Sequence, residues 1–314
     1  MNQSREIQPQ TNHFLQINDL HVIAPGFKGR GNGYKGANKR ATWLLNAIAQ
    51  KQEIPELDLV LGVGDLVHGE TLEGIEKDLK WFQAANQNIS YPFYPLMGNH
   101  EVSQNQGVSE WESPFLNTFG AETNNYTLSY GDLLIIMFNN SGTGHMSSEH
   151  SAKQFEWLRS TLEKNPSRPK MIACHVPLIP IREKSVLAES FGFQSYYTLE
   201  PDILELVEQH ASSILAVLSG HLHMTGTIIQ NGIHHICISG TASYPSDYAL
   251  YTLLENGIEV SIRQVPSHLL DTWETDIHGK RRHGKDFTDQ THDTPETYLM
   301  GNPEERHFII PFKH

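Results

Sequence analysis

The sequence predicts an α/β fold in which helices cover a pair of β-sheets, and three features predict it. Short apolar runs alternate with helix-period segments over the first two thirds of the chain. Those runs are apolar at consecutive positions, as strands covered on both faces must be. Beyond residue 219 the texture changes to paired strand-like runs that carry Asn-Gly dipeptides, the mark of antiparallel hairpins.

The runs at 13–17, 58–63, 93–97, 133–138, 170–175 and 214–219 read as buried strands. Between them, 71–86 places Leu72, Ile75, Leu79 and Phe82 on one helical face, with Thr71 as N-cap. Segment 149–164 does the same with Phe155, Leu158 and Leu162, and 37–50 and 200–210 are further helices, the last with Pro201 in its first turn. βαβ units followed by a meander suit helices packed on two sheets. Residues 1–11 are polar and read as a flexible tail, 12–265 as the domain, and 266–314 as an extension packed on the domain or on a partner subunit.

Composition narrows the functional classes. A hydrophobic fraction of 38% and a charged fraction of 19% over 314 residues describe an ordinary globular chain. No apolar run approaches the ~20 residues of a membrane span, and no apolar signal core opens the chain, so a cytoplasmic setting is expected. The formal charge of −13 argues against a nucleic-acid backbone as main partner, but not against a small anion, since bound cations invert a local field. Cys174 and Cys237 sit in apolar runs and read as buried thiols, with a bridge between neighbouring strands left open. With 18 histidines in the chain, a single His carries little weight outside a specific context.

Five motifs supply that context, each where a strand runs into a loop: Asp19-Leu20-His21, Gly64-Asp65 with His68 three residues on, Gly98-Asn99-His100-Glu101, His175, and Gly220-His221-Leu222-His223. Strand ends are where open α/β sheets bind ligands. Asp, His and Asn are borderline-to-hard donors suited to Zn, Mn or Fe, and one carboxylate can bridge two cations about 3.5–4 Å apart. On an extended segment, Asp-x-His and His-x-His would each present both side chains to one side.

The ordered set D-x-H, G-D, G-N-H-E, H, G-H-x-H resembles the calcineurin-like metallophosphoesterase superfamily over roughly residues 13 to 265. In motif wording it is most similar to the class III cyclic-nucleotide and glycerophosphodiester phosphodiesterases. The resemblance implies a four-layer αββα sandwich of two mixed sheets, with the metal site in the strand-end loops. It implies two transition metals, Fe and Mn favoured and Zn an alternative: one held by Asp19, His21, Asp65 and His223, the other by Asp65, Asn99, His175 and His221. A hydroxide between them would attack phosphorus, His100 would touch the phosphate or protonate the leaving group, and Glu101 would orient His100 or a neighbouring ligand. The implied substrate is a small phosphodiester; a phosphomonoesterase and a non-catalytic scaffold are the alternatives. His68 stands where relatives often carry Asp, Asn or another polar residue, and Cys174 stands where many relatives carry a second His. The Gly-rich segment 26–36 reads as a connection, or as a lid bringing Lys28, Arg30 or Lys35 to an anionic substrate. Whether the chain forms a homo-oligomer stays open.

Overall fold

The computed structural model describes residues 4–26, 34–69, 71–102, 108–141, 148–191, 201–274 and 287–313. In chain order the strands are β1 Arg5–Ile7, β2 His13–Ile17, β3 Leu59–Val63, β4 Phe93–Leu96, β5 Tyr126–Tyr130, β6 Leu133–Met137, β7 Lys170–Ala173, β8 Ile214–Ser219, β9 Gly226–Gln230, β10 Ile233–Cys237, β11 Asp247–Leu254, β12 Gly257–Gln264 and β13 His307–Pro311. The helices are α1 Ala37–Gln50, α2 Leu72–Asn86, α3 Val108–Phe119, α4 Ser148–Lys164, α5 Lys184–Phe191, α6 Pro201–Gln209, α7 Pro295–Met300 and α8 Pro303–Arg306.

Two mixed sheets form. One runs β1-β5-β6-β7-β8-β10-β9 and the other β13-β12-β11-β2-β3-β4. Period-2 alternation in apolar strands explains how they stack. Leu59, Leu61 and Val63 of β3 meet Leu133, Ile135 and Met137 of β6 in a core between the sheets. Val60 faces outward to Leu44, Ile75, Leu79 and Phe82 of α1 and α2. On the far side, Leu134 and Ile136 meet Leu158 and Leu162 of α4 and Leu206 of α6. The layers are therefore helix, sheet, sheet, helix.

Local signals act as expected. The Thr71 hydroxyl accepts from Gly74 N at 3.0 Å and caps α2. Asn231 and Gly232, both at positive φ, form the two-residue turn between β9 and β10.

The N-terminal stretch differs from expectation. Residues 1–11 are not simply a tail: Arg5, Glu6 and Ile7 pair with Leu128, Ser129 and Tyr130 of β5. The open edge of β5 offers backbone partners, and the Arg5 guanidinium lies 5.0 Å from the Tyr126 ring centroid. Three residues are too few for an alternation pattern to show.

Within the extension, β13 adds to the edge of β12. Arg306 makes two 2.8 Å bonds to Asp247, and Glu305 reaches Arg182 at 2.6 Å and His292 at 2.7 Å. His292 is buried by that arrangement. Cys174 and Cys237 are free and buried. Lys28, Arg30, His145, His278, His314 and the basic cluster Lys280, Arg281, Arg282, His283 and Lys285 lie outside the described residues. Among the described residues, no helix is long and apolar enough to cross a membrane.

Candidate metal centre

Parallel strands β2, β3 and β4 of one sheet and β7 and β8 of the other all end at the same rim. Asp19 and His21 follow β2, Asp65 follows β3, Asn99 to Glu101 follow β4, His175 follows β7, and His221 and His223 follow β8. The site therefore straddles both sheets.

The backbone there is not extended. Asp19 (φ 45), His21 (φ 45), Asp65 (φ 50), His221 (φ 72) and His223 (φ 52) are all left-handed. Asp19 and His21 converge through tight turns, whereas His221 and His223 reach different donor groups, which corrects the expectation that strand alternation presents each pair to one side. Close packing of the loops fixes the glycines between them. A Cβ on Gly98 would strike Asp65, and one on Gly220 would strike Asp19.

Among the described residues three groups of donors result, two of them nests that include a carboxylate and the third formed by His21, His68 and His100. Ligand atoms of Asp19, His21 and His223 lie within 4.8 Å of one another, as do those of Asp65, His175 and His221. Asp65 Oδ2 stands between them, 3.4 Å from His21 Nε2 and 3.1 Å from His175 Nε2. Asn99 Oδ1 joins the second nest, 2.8 Å from His221 Nδ1 and 3.2 Å from His175 Nε2. Asp19 Oδ1 lies 3.4 Å from His223 Nε2 and 3.7 Å from His21 Nε2 in the first.

The donor chemistry fits cations. Val63 O accepts from His175 Nδ1 at 3.0 Å, so Nδ1 carries the hydrogen and Nε2 presents its lone pair to two oxygens. A proton or a cation must fill that gap. Charge balance says the same: burial, reinforced by the Asp65 charge, pushes the Asp19 carboxyl up to about 7. The same two causes push Glu101 up to about 8. Asp65 stays well below the usual carboxylate range, its burial outweighed by His175 and His100. Against the pull of burial, Asp65 holds His175 up to about 10. His221 falls to about 3 through burial and the charge of His175, and burial together with His100 pushes His21 well down.

These shifts set a pH dependence for chelated protein. Raised carboxyls at Asp19 and Glu101 and the raised His175 make the folded state hold more protons than the unfolded one above pH 6.5. Stability therefore falls as pH rises, by roughly 1–3 kcal/mol per unit between pH 6.5 and 8. The lowered histidines take up protons on unfolding near and below pH 6.5, so they offset part of this at the lower end of the window. Thermal unfolding in chelator at pH 6.5, 7.25 and 8 checks it; a flat or rising melting temperature contradicts the charge balance.

Other partners are less visible in the sequence. Glu101 does not reach His100: it accepts backbone N–H bonds from Asp65 (2.9 Å), Gly98 (2.6 Å) and Val67 (3.0 Å). His100 Nδ1 instead donates to the His68 carbonyl at 2.6 Å, and Asp65 Oδ1 accepts from His100 N at 2.9 Å. Asn18 Nδ2 donates to Asp19 Oδ2 at 2.6 Å and is itself held by Gln16, which donates to Asn18 Oδ1 at 3.1 Å. Sequence reasoning passed over Gln16 and Asn18, although two polar residues at the end of a buried strand were a usable signal. Tyr34, whose ring centroid lies 4.0 Å from that of His21, was also missed.

Comparison with known proteins agrees with this geometry. A probable glycerophosphodiester phosphodiesterase of Arcobacter nitrofigilis is 26% identical over 262 residues, covering 82% of this chain and 88% of that protein. A 3',5'-cyclic-nucleotide phosphodiesterase of Nostoc is 24% identical, covering 83% and 90%. The fold is similar to that of a dimetal phosphatase from Danio rerio, with a TM-score of 0.60 at 16% identity over 81% of this chain and 96% of that one. The calcineurin-like phosphoesterase family model matches residues 13–225, which span every strand-end motif described above. By that match the chain belongs to the calcineurin-like phosphoesterase family of metal-dependent phosphoesterases.

Proposed function

We propose that the protein hydrolyses a small phosphodiester, such as a cyclic nucleotide or a glycerophosphodiester, at a paired-cation site. Asp19, His21, Asp65 and His223 hold one cation in this reading, and Asp65, Asn99, His175 and His221 the other. The supporting observation is the position of Asp65 Oδ2 within 3.4 Å of a histidine nitrogen on either side. Fe and Mn suit the donor set, with Zn as the alternative. When bound, such a pair lowers the pKa of a shared water and neutralises charge on a phosphoryl group.

The chain's own groups do the rest. The Glu101 carboxylate touches neither ligand side chain; it accepts backbone N–H bonds from the loops beneath them and so keeps Asp65 and Asn99 in register. His100, fixed through Nδ1, presents Nε2 to a substrate oxygen as a phosphate contact or proton donor. The catalytic unit is residues 12–265, with 266–314 packed on it. Preference for a diester is favoured by two relatives of that name covering more than four fifths of this chain.

Manganese-loaded protein tested on bis-p-nitrophenyl phosphate and p-nitrophenyl phosphate decides between diester and monoester. The expected result is kcat/KM at least ~10-fold higher on the diester, a gap of about 1.4 kcal/mol. A preference for the monoester overturns the diester reading, and inactivity on both with metal bound overturns hydrolysis.

A further inference from the structure

We infer that Tyr34 is a further catalytic residue, its hydroxyl sharing with His100 Nε2 the contact to one oxygen of the substrate. Tyr34 lies at the end of the Gly-rich segment and just before α1, in the connection that follows the first strand-end motif. It is nonetheless nearly buried, at 7% exposure, inside the ring of histidines. Its ring centroid lies 4.0 Å from that of His21, 4.9 Å edge-on from that of His68, and 5.5 Å from that of His223 at an interplanar angle of 20°.

Its placement is braced from below. Ala37 N donates to Tyr34 O at 3.0 Å to begin α1. The buried Arg40 guanidinium ties Lys35 O (2.8 Å) to Thr241 O (2.6 Å) and Asp271 (2.8 Å). That same 241–242 loop passes beside the first nest, where Ala242 N donates to Asp19 O at 2.9 Å. Tyr34 is thus fixed relative to Asp19 through a few short bonds.

The hydroxyl stands 3.5 Å from His100 Nε2. That distance is the outer limit of a direct bond, weak between the two groups themselves. It suits two polar atoms that both approach a third: one oxygen can sit at hydrogen-bond distance from each. The His68 carbonyl has already taken His100 Nδ1, so Nε2 is the atom left to face the substrate. A fixed hydroxyl beside it is a donor held in place without reorganisation, the arrangement that stabilises developing charge best.

This rests on the phosphoester-hydrolase reading, and two readouts separate the failures. Tyr34→Phe keeps the ring and its packing. The expected result is a kcat on bis-p-nitrophenyl phosphate lower by ~10-fold to ~100-fold, with bound manganese unchanged. Inorganic phosphate should bind manganese-loaded Tyr34→Phe about 5-fold to 10-fold more weakly, and this readout needs no turnover. In a His100→Ala background the same substitution should add less than about 2-fold to either loss, because the shared oxygen is already released. Wild-type kcat and phosphate affinity in Tyr34→Phe overturn the inference, as does loss of manganese, which would make the residue a brace for the metal nest. Losses that multiply fully in the double variant overturn the shared oxygen. Wild-type protein that turns over nothing fails the hydrolase reading, while its phosphate affinity still tests Tyr34.

Discussion

Asp65→Asn is expected to lower diester turnover by ~10³-fold or more, about 4 kcal/mol of lost transition-state stabilisation. The side chain keeps its size, and Asn tolerates the left-handed backbone that Asp65 adopts at φ 50. Asn Oδ1 can still accept from His100 N, as Asp65 Oδ1 does at 2.9 Å. What disappears is the charge facing His21 Nε2 and His175 Nε2, on which both nests depend. Manganese should then cease to raise the melting temperature; in the wild type, saturation at 100 times Kd adds about 2.7 kcal/mol. Thermal melts with and without manganese, beside steady-state rates, check both halves. Activity within ~10-fold of wild type, with two metals still bound, would sink the shared-carboxylate reading.

Glu101→Ala should produce the second large effect, and mainly on the fold. Its carboxylate is fully buried and accepts three backbone N–H groups from the loops after β3 and β4. Removing it strands three buried donors at about 1–3 kcal/mol each. A loss of roughly 3–6 kcal/mol is a large share of the total stability of a typical domain, about 5–15 kcal/mol. Glu101→Gln provides the graded control. Its single carbonyl oxygen can serve Asp65 N and Gly98 N together, leaving Val67 N facing an amide at a cost of about 1–3 kcal/mol. Denaturant unfolding should rank wild type above Gln above Ala. If the Ala variant melts with wild type and only its rate changes, Glu101 acts on the chemistry and not on the loops.

Much of the architecture was legible because its strands are apolar on both faces. The strands now assigned to 13–17, 133–137 and 214–219 stand out as continuous runs, and α1 was read at its observed bounds. Helix α3 was hidden by Pro114 in its interior, which reads as a breaker. Strand β1 was too short to show a period. The site was legible as a set of letters at strand ends, since few other functions need Asp, Asn and His placed abruptly after buried strands. The supports were not. Glu101 and His100 bind backbone groups, and a carbonyl or amide partner has no letter of its own. Tyr34 reaches the site through tertiary packing, so neither spacing nor motif pointed to it.

The left-handed turns at Asp19, His21, Asp65, His221 and His223 narrow what mutation can explore. Asp, Asn and His are among the few non-glycine residues that accept this geometry readily, while β-branched residues resist it. The alphabet that grips a cation and the alphabet that the chain path permits nearly coincide. Saturation libraries at these five positions should therefore return Asp, Asn, His and Gly among folded clones, even under screens blind to catalysis. Drift away from the reaction would proceed first through Asn, which keeps an oxygen but drops the charge, and Gly, which removes the donor, neither bending the loops.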